Sequence, residues 1–420
     1  MKGAWRSLSP WQKGAAVALA ALGTGLLLAL GAALYYGGVV ADTLDQVTSL
    51  GPETRALGVY VLAEDPAQTL EDAKGYRFAG VEGDPLEGEA LSLTGAGELL
   101  RYPTAFALAD ALKAGACDAI FLEEGLAQSL GDAPDYAWTQ KGLRKLSTLS
   151  VEAEGETAAV ADQLPEQFVA YLSGIDSFGA RGTRSRSDVN LLAAVNTADR
   201  KLLLLATPRD FYVDFPASGG EKDKLTHAGL YGVEESAAAL EGLYGVEVSC
   251  WFRMNFTGFV ELIDALGGVE VWSDQAFTVE PIKSFQQGYN QVTGLEALAF
   301  ARERYSFADG DYQRAKNQMA LVQAVVDKCA SLEMLGRFRQ VMEAVGEHLE
   351  TNLSSQQLYA LAAGELGAGK AWEISTYTAW GESAYRETWS MPGQELYVIL
   401  PDGASVEEAS ERLRAFLKGE

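Results

Sequence analysis

The chain has 420 residues, 48% of them hydrophobic, which is enough apolar material for two or three domains with cores of their own and excludes a disordered protein. Its formal net charge of −25 opposes contact with phosphate backbones and anionic membrane surfaces, and this argues against a bulk nucleic-acid binder. Three cysteines and two histidines are too few and too scattered for a disulfide framework, a zinc site or a histidine-rich metal centre.

The first predicted element is a transmembrane helix. Residues 14–41 contain no charged side chain, and this run exceeds the roughly 20 residues that cross a bilayer as a helix. Basic residues precede the run and acidic residues follow it, so the positive-inside rule places residues 1–13 in the cytoplasm and the rest outside. The prediction is a single-pass protein of the cell membrane. A cleaved signal peptide is the alternative, which the length of the run disfavours.

A small α/β accessory domain is predicted over residues 55–146. Apolar runs bounded by Gly and Pro clusters indicate two buried strands and two helices, at 57–62, 118–122, 105–114 and 123–130. The segment contains no phosphate loop, nucleophile elbow or metal-ligand spacing, which favours ordinary core and surface over a site. The acidic stretch 147–165 has little apolar pattern and predicts a linker.

Residues 166–420 are predicted to form a three-layer α/β/α sandwich. Nearly continuous apolar runs at 167–172, 189–195 and 201–206 are typical of strands that are buried on both faces, which implies helices on both sides of the sheet. Helix signals follow, including Asn255 as an N-cap and a capping box from Thr293 to Glu296. The remaining predicted elements are a strand at 269–272, a strand at 396–400 and helices at 234–243, 256–266, 313–330, 334–349, 354–362 and 405–417.

Charged residues recur at the ends of these apolar runs, where α/β folds keep their sites. Asp176 follows one predicted strand and Asp188 precedes the next, so both carboxylates are expected at one end of the sheet. Two carboxylates with room for water are the usual protein environment of Mg²⁺. In a tighter arrangement, either one is a candidate general base.

Arginines near these carboxylates suggest phosphate recognition. If residues 299–305 are extended, Arg302 and Arg304 emerge on one face, while Arg314 and Gln318 share a face of a helix. The planar guanidinium group suits bidentate contact with phosphate, and several together neutralise a pyrophosphate. Each residue alone also fits a surface ion pair, a turn or a helix cap. The further candidates at strand and helix ends are Arg186, Arg209, Asp210 and Asp311, the last as a cap of the second helix.

The same residues resemble the LytR-CpsA-Psr family over about 167–330. The similar segments, in chain order, are Asp176, Ser185-Arg-Ser-Asp188, Thr207-Pro-Arg-Asp210, Lys224-Leu-Thr-His227, residues 255–269, Arg302-x-Arg304, Gly310-Asp-Tyr-Gln-Arg314 and Gln318. The resemblance implies an extracellular phosphotransferase. Such an enzyme moves a glycopolymer, for example teichoic acid or capsule polysaccharide, from an undecaprenyl-pyrophosphate carrier to a peptidoglycan hydroxyl and forms a phosphodiester.

Carried over by position, the resemblance also implies residue roles. The aspartates implied to bind Mg²⁺ are Asp176 and Asp188, and the residues implied to hold the pyrophosphate are Arg209, Arg302, Arg304, Arg314 and Gln318. The unit 55–146 resembles the accessory domain of the capsule-type branch. Asn317 departs from the family, since many members have a basic residue there, and this predicts a weaker phosphate contact. A pocket for the polyprenyl chain is implied, without identifiable lining residues.

Two other functions remain open. A polyprenyl-pyrophosphate phosphatase would use the same arginines and Mg²⁺ with water as the acceptor, and hydrolysis without polymer transfer would identify it. A regulatory protein that binds the lipid carrier would need a cytoplasmic domain, and residues 1–13 are too few for a DNA-binding module.

Overall fold

The computed structural model describes residues 38–48, 53–95, 98–153, 164–177, 182–329, 333–365 and 371–419. The fold is mixed α/β, which confirms that part of the prediction. Most of the predicted transmembrane run, 14–37, lies outside these residues, and its last four residues begin a helix over 38–48. No helix within the described ranges is both long and apolar enough to cross a bilayer.

The N-terminal unit, residues 54–152, is built on a five-stranded sheet of order β3-β2-β4-β1-β5. Its strands are β1 (Thr54–Leu62), β2 (Phe78–Val81), β3 (Leu100–Tyr102), β4 (Ala119–Glu123) and β5 (Leu143–Glu152). Its helices are Glu87–Thr94, Ala105–Lys113, Glu124–Leu130 and Thr139–Gly142. Thr104 caps the second helix by accepting a hydrogen bond from the Ala107 N–H, which satisfies one of the free amides of the first turn.

The end of this unit differs from the prediction. Strand β5 continues to Glu152 and pairs with β1 in antiparallel register along its whole length, so a linker that begins at 147 is wrong. The strand lies at the edge of the sheet and its side chains are half-buried or exposed, so it lacks the apolar run that marks a central strand. Residues 154–163 of the predicted linker lie outside the described residues.

The C-terminal part of the chain contains a six-stranded sheet of order β16-β11-β6-β7-β8-β17. The strands from here on are β6 (Gln167–Ile175), β7 (Ser187–Asn196), β8 (Lys201–Ala206), β9 (Tyr212–Asp214), β10 (Lys222–Lys224), β11 (Cys250–Asn255), β12 (Val269–Ser273), β13 (Phe277–Val279), β14 (Lys283–Phe285), β15 (Gly288–Val292), β16 (Glu350–Thr351), β17 (Glu373–Thr378), β18 (Gly381–Thr388) and β19 (Met391–Pro401). The three predicted apolar runs are strands β6, β7 and β8, which are antiparallel neighbours.

Helices pack on both faces of this sheet, because successive side chains of a strand point to opposite sides. On one face Val169 and Tyr171 contact the helices Val233–Tyr244 and Gly403–Lys418. On the other face Phe168 and Ala170 belong to a core cluster with side chains of the helices Asp311–Cys329 and Ser355–Glu365. The remaining helices of this part are Leu225–Ala228, Phe256–Ala265, Gly294–Arg302 and Glu333–His348.

The predicted strand at 269–272 is present as β12, which forms a separate ribbon with β15 outside the large sheet. One predicted element is corrected by the structure. Residues 299–302 are helical rather than extended, because the capping box of Thr293 and Glu296 begins a helix that Leu298 and Phe300 anchor in the core. Arg302 therefore ends a helix and does not share a strand face with Arg304.

The two parts of the chain share packing. Met391 and Leu396 of β19 belong to the hydrophobic core of the N-terminal unit, beside Phe106 and Leu108. The N-terminal unit and the C-terminal part, which were predicted as separate domains, therefore share one hydrophobic core cluster.

Candidate active site

Two buried ion pairs position the aspartates that follow β6 and begin β7. Arg186 Nη2 lies 2.7 Å from Asp176 Oδ2, and the Asp176 N–H donates to the Arg186 carbonyl at 3.0 Å. Arg209 Nη1 lies 2.7 Å from Asp188 Oδ1. Burial raises the pKa of Asp188, but the positive charges of Arg209, Arg186 and Arg314 outweigh it and lower the pKa to about 2. Asp188 is therefore ionised at neutral pH.

A second layer of charges supports these pairs from behind. Lys224 Nζ lies 2.7 Å from Asp210 Oδ1, and Arg209 Nε lies 3.5 Å from Asp210 Oδ2. Lys224 and Asp210 are almost completely buried. Burial raises the pKa of Asp210, but Lys224 and Arg209 lower it well below its ordinary value. Charges without water contact require such pairing, so this layer holds Arg209 in place.

The other arginines come from the end of one helix and the start of the next. The Arg302 guanidinium stacks over the Phe256 ring, 4.5 Å from its centroid, and its Nη2 lies 3.7 Å from Asp176 Oδ1. Arg304 Nη1 lies 3.8 Å from Asp311 Oδ1, which pairs more closely with Arg314 at 2.9 Å. Arg302 and Arg304 therefore lie near carboxylates, but neither arginine forms a short ion pair with them.

Arg314 is as deeply buried as Arg186 and Arg209. Burial lowers its pKa, and repulsion from Arg209 adds to the effect despite the carboxylate of Asp311. The guanidinium remains charged at any physiological pH. Because its charge is incompletely balanced, Arg314 would gain from a bound anion.

All of these arginines open into one cavity of about 770 Å³. Its charged end is lined by Asp176, Arg186, Asp188, Arg209, Arg302, Arg304, Arg314 and Gln318. Its other end is lined by apolar side chains, among them Leu172, Phe252, Phe256, Phe259, Leu262, Leu298, Ala301, Leu321, Val322, Val325, Val326 and Leu349. The cavity is thus amphipathic, with a cationic mouth and an apolar interior.

The charged end has hydrogen-bond donors without acceptors. The buried Nε atom of Arg186 has no hydrogen-bond partner among the described residues, and that of Arg209 has only a long contact of 3.5 Å with Asp210 Oδ2. Arginines also outnumber aspartates along this wall, in a protein that is otherwise strongly acidic. A buried donor without an acceptor is costly, so these groups favour an anionic ligand with several oxygens, such as a phosphate.

The structure gathers the predicted site residues at one place and divides them into two groups. The eight residues of the charged end line the cavity. Asp210, Lys224 and Asp311 do not line it. Asp210 approaches Arg209, Asp311 pairs with Arg314, and Lys224 pairs with Asp210. Their contact with substrate stays a prediction, while the geometry gives them a supporting position. Asp311 is the first residue of its helix rather than the cap before it, and its carboxylate faces Arg314.

Residues that sequence reasoning missed also lie here. Tyr305 is 85% exposed at the cavity mouth, and its hydroxyl accepts a hydrogen bond from Arg304 Nη2 at 2.8 Å. Asp132 lines the cavity from the N-terminal unit, in a loop with no sequence signal for a site. Asn317 is buried and donates to the Phe300 carbonyl at 3.2 Å, so this departure from the family pattern faces the protein interior and not the cavity.

The carboxylates present fit a divalent cation. Asp188 pairs with Arg209 through Oδ1, and Asp176 pairs closely with Arg186 through Oδ2. The second oxygen of each carboxylate makes no contact as short as 3 Å with another described charged group. Oxygen ligands of this type, together with water and substrate phosphates, are what Mg²⁺ takes in proteins.

Comparison with known proteins gives consistent matches. Residues 138–414 match the model of the LytR_cpsA_psr family. A Bacillus mycoides protein named polyisoprenyl-teichoic acid–peptidoglycan teichoic acid transferase TagU is 30% identical over 264 residues, which cover 63% of this chain and 82% of that protein. An Enterococcus faecalis protein of the same name is 32% identical over 199 residues, 47% of this chain and 65% of that protein, slightly less than two thirds of its length.

Solved structures share the fold. B. subtilis TagV superposes with a TM-score of 0.50 at 24% identity, over 60% of this chain and 97% of that one. An Enterococcus faecalis protein described as a transcriptional regulator has a TM-score of 0.50 at 25% identity, over 60% of this chain and 88% of that one. The family match covers well over half of the sequence and includes every residue of the charged end of the cavity. The chain belongs to the LytR_cpsA_psr family, as its motifs predicted.

Proposed function

We propose that this protein is a transferase that moves a glycopolymer from a polyprenyl-pyrophosphate carrier to a peptidoglycan hydroxyl. The observation that carries the proposal is the amphipathic cavity, whose arginine-rich mouth continues into an apolar interior. A polyprenyl pyrophosphate has the same two parts, a dianionic head and a long hydrocarbon chain. The named relatives transfer teichoic acid to peptidoglycan, which supports the same reaction class here.

The chemistry needs little beyond positioning and charge. The acceptor hydroxyl loses its proton, its oxygen attacks the phosphorus that carries the glycan, the bond from that phosphorus to the bridging oxygen breaks, and polyprenyl phosphate leaves. Negative charge develops on the phosphate oxygens, and phosphoryl transfer is catalysed mainly by stabilising such charge. Arg302 and Arg304 are placed for this role at the mouth, and Arg186, Arg209 and Arg314 line the same cavity. Asp176 and Asp188 are both candidates for the base.

We include Mg²⁺ in the proposal, with Asp176 and Asp188 as the residues that would hold it. When bound, the ion would stabilise charge on the phosphate oxygens. The two carboxylates would then serve as ligands on one side while their arginine partners keep their orientation.

The proposed location is the outer face of a cell membrane, with residues 14–41 as a single transmembrane helix and residues 1–13 in the cytoplasm. The carrier lipid stays in the bilayer, so an anchored enzyme meets it more often. The helix 38–48 supports this arrangement because it packs on Glu333–His348: Val47 is buried, and Thr43 Oγ1 donates to the Met342 carbonyl at 3.3 Å. The chain would thus leave the membrane directly onto the folded part.

The test is a transfer assay with the full-length protein in lipid vesicles. A polyprenyl-pyrophosphate glycan, Mg²⁺ and peptidoglycan oligomers are incubated and the products are analysed by mass spectrometry. We expect a glycan–peptidoglycan phosphodiester that disappears when EDTA is added. Release of free glycan phosphate alone would replace the transferase with a phosphatase, and tight lipid binding without turnover would favour a regulatory binding protein.

A further inference from the structure

The N-terminal unit, residues 54–152, supplies part of the cavity wall. Its contribution comes from β1, from the helix Glu124–Leu130 and from the segment that leads into β5. Part of this wall lies before residue 138, where the match to the family begins, and consists of Tyr60, Ala127, Gln128 and Asp132. The site of this chain therefore includes groups from outside the family segment.

The N-terminal unit contacts the segment that contains Lys224, a member of the buried charge layer behind Arg209. We call this row of contacts the seam. The helix Glu124–Leu130 and the residues after it lie antiparallel to the segment 224–230. Three contacts form the seam: Gly125 with Leu230, Ser129 Oγ with His227 Nε2 at 3.0 Å, and Asp132 Oδ2 with Lys224 Nζ at 2.8 Å. The first contact is so close that a Cβ atom on Gly125 would collide with the Leu230 side chain.

The last of these contacts joins a chain of ion pairs that ends in the cavity. Lys224 lies between Asp132 and Asp210, Asp210 approaches Arg209, and Arg209 pairs with Asp188. The side chain of Lys224 is only 1% exposed, so water does not balance its charge and the two carboxylates must do so. Removal of either carboxylate changes where the ammonium group is held.

We propose that Asp132 is a positioning residue for the transfer reaction and that the N-terminal unit completes the active site through it. The inference rests on the proposed function. Without the Asp132 charge, Lys224 is balanced by Asp210 alone, which draws Asp210 toward the lysine and away from Arg209. Arg209 then loses part of the support that orients it toward Asp188 and the phosphate oxygens. Small displacements of charge-stabilising groups are costly in phosphoryl transfer.

The kinetic test compares Asp132→Asn with the matched control Asp135→Asn. Asp135 lies three residues further along, is exposed, and forms no ion pair within the described residues. For Asp132→Asn we expect kcat to fall about tenfold or more, with a KM for the lipid pyrophosphate that does not rise, because the mouth keeps all its arginines and loses one negative charge. Asp132→Glu, which keeps the charge, should recover part of kcat. The control should behave as wild type.

A double-mutant cycle tests the route through the lysine. If Asp132 acts through Lys224, adding Asp132→Asn to Lys224→Gln causes no further loss of kcat. If the loss of kcat in the double variant equals the product of the losses in the two single variants, the proposed route through Lys224 is overturned. Wild-type kcat in Asp132→Asn would overturn the positioning role, as would a raised KM with a lowered melting temperature, since that pattern indicates a structural role only.

A crystal structure of Asp132→Asn separates this inference from the proposed function. We expect Lys224 and Asp210 to shift and the Arg209–Asp188 pair to be broken or rotated, whatever reaction the site performs. If wild-type protein transfers no glycan but the variant shows this shift, the proposed function fails and the positioning role stands. An unchanged Lys224, Asp210 and Arg209 in the variant would overturn the positioning role even if transfer is confirmed.

Discussion

The two ends of the cavity are held together by different forces. At the charged end, Asp176 and Asp188 each have an arginine nitrogen at 2.7 Å, and Arg314 pairs with Asp311 at 2.9 Å; the partners are largely buried. At the apolar end, Leu262, Leu321 and Val325 contribute apolar side chains, whose packing contacts are non-directional. Removing one partner of a buried ion pair leaves an unbalanced charge, whereas apolar packing tolerates substitutions of similar volume. The difference implies that the mouth selects the chemistry of the head group and the interior selects the length and bulk of the chain.

The largest expected effect is at the exposed arginines of the charged end. Arg302→Ala or Arg304→Ala should lower transfer at least about 100-fold, because each removes a cation aimed at the developing phosphate charge. The fold should survive, since these side chains are 49% and 28% exposed and have no short ion pair. Arg339→Ala is the control, an exposed arginine that pairs with Glu343 on the surface. Transfer rates and melting temperatures measure the outcome, and a variant with wild-type transfer would contradict the role of the mouth.

A smaller effect is expected from the titration of Asp188. Its pKa of about 2 lies below the ordinary value of 3.8, so ionised Asp188 stabilises the folded state by about 2 kcal/mol at neutral pH. Because the folded-state pKa is depressed, this stabilisation is present above about pH 4 and is lost as the pH falls toward 2. The free energy of unfolding is measured in urea for wild type and for Asp188→Asn, at pH 7 and at pH 3. We expect the difference between the two proteins to be smaller at pH 3. A difference that does not depend on pH would show that Asp188 is not held ionised by its arginines.

The smallest effect is expected at the apolar end. Ala301 lines the cavity, and Ala301→Leu adds apolar volume inside it. We expect the affinity for a long polyprenyl pyrophosphate to fall about tenfold, since overpacking displaces the chain, while the affinity for inorganic pyrophosphate stays the same. Calorimetric titration with both ligands measures the two ends separately. Equal losses for the two ligands would mean that the ends are not independent.

Local sequence signals predicted much of the fold and the charged end. The run from Gln167 to Ile175 is apolar enough to be a central strand whatever surrounds it, and the caps at Asn255 and Thr293 use hydrogen bonds within one helical turn. The motif residues Arg302, Arg304 and Arg314 line one cavity, although Arg302 ends a helix and not the extended segment that was predicted.

What the sequence alone determined is therefore the apolar central strands, the capped helices and the kinds of charge at their ends. Only the tertiary structure decided which charges pair, since the contact of Asp132 with Lys224 joins residues 92 positions apart and depends on the path of the chain. It also decided that β12 leaves the large sheet and that Ala301 and Val325 line a cavity. An apolar side chain that faces a cavity has the same chemistry as one that fills a core, and the difference lies in the neighbours that folding brings to it.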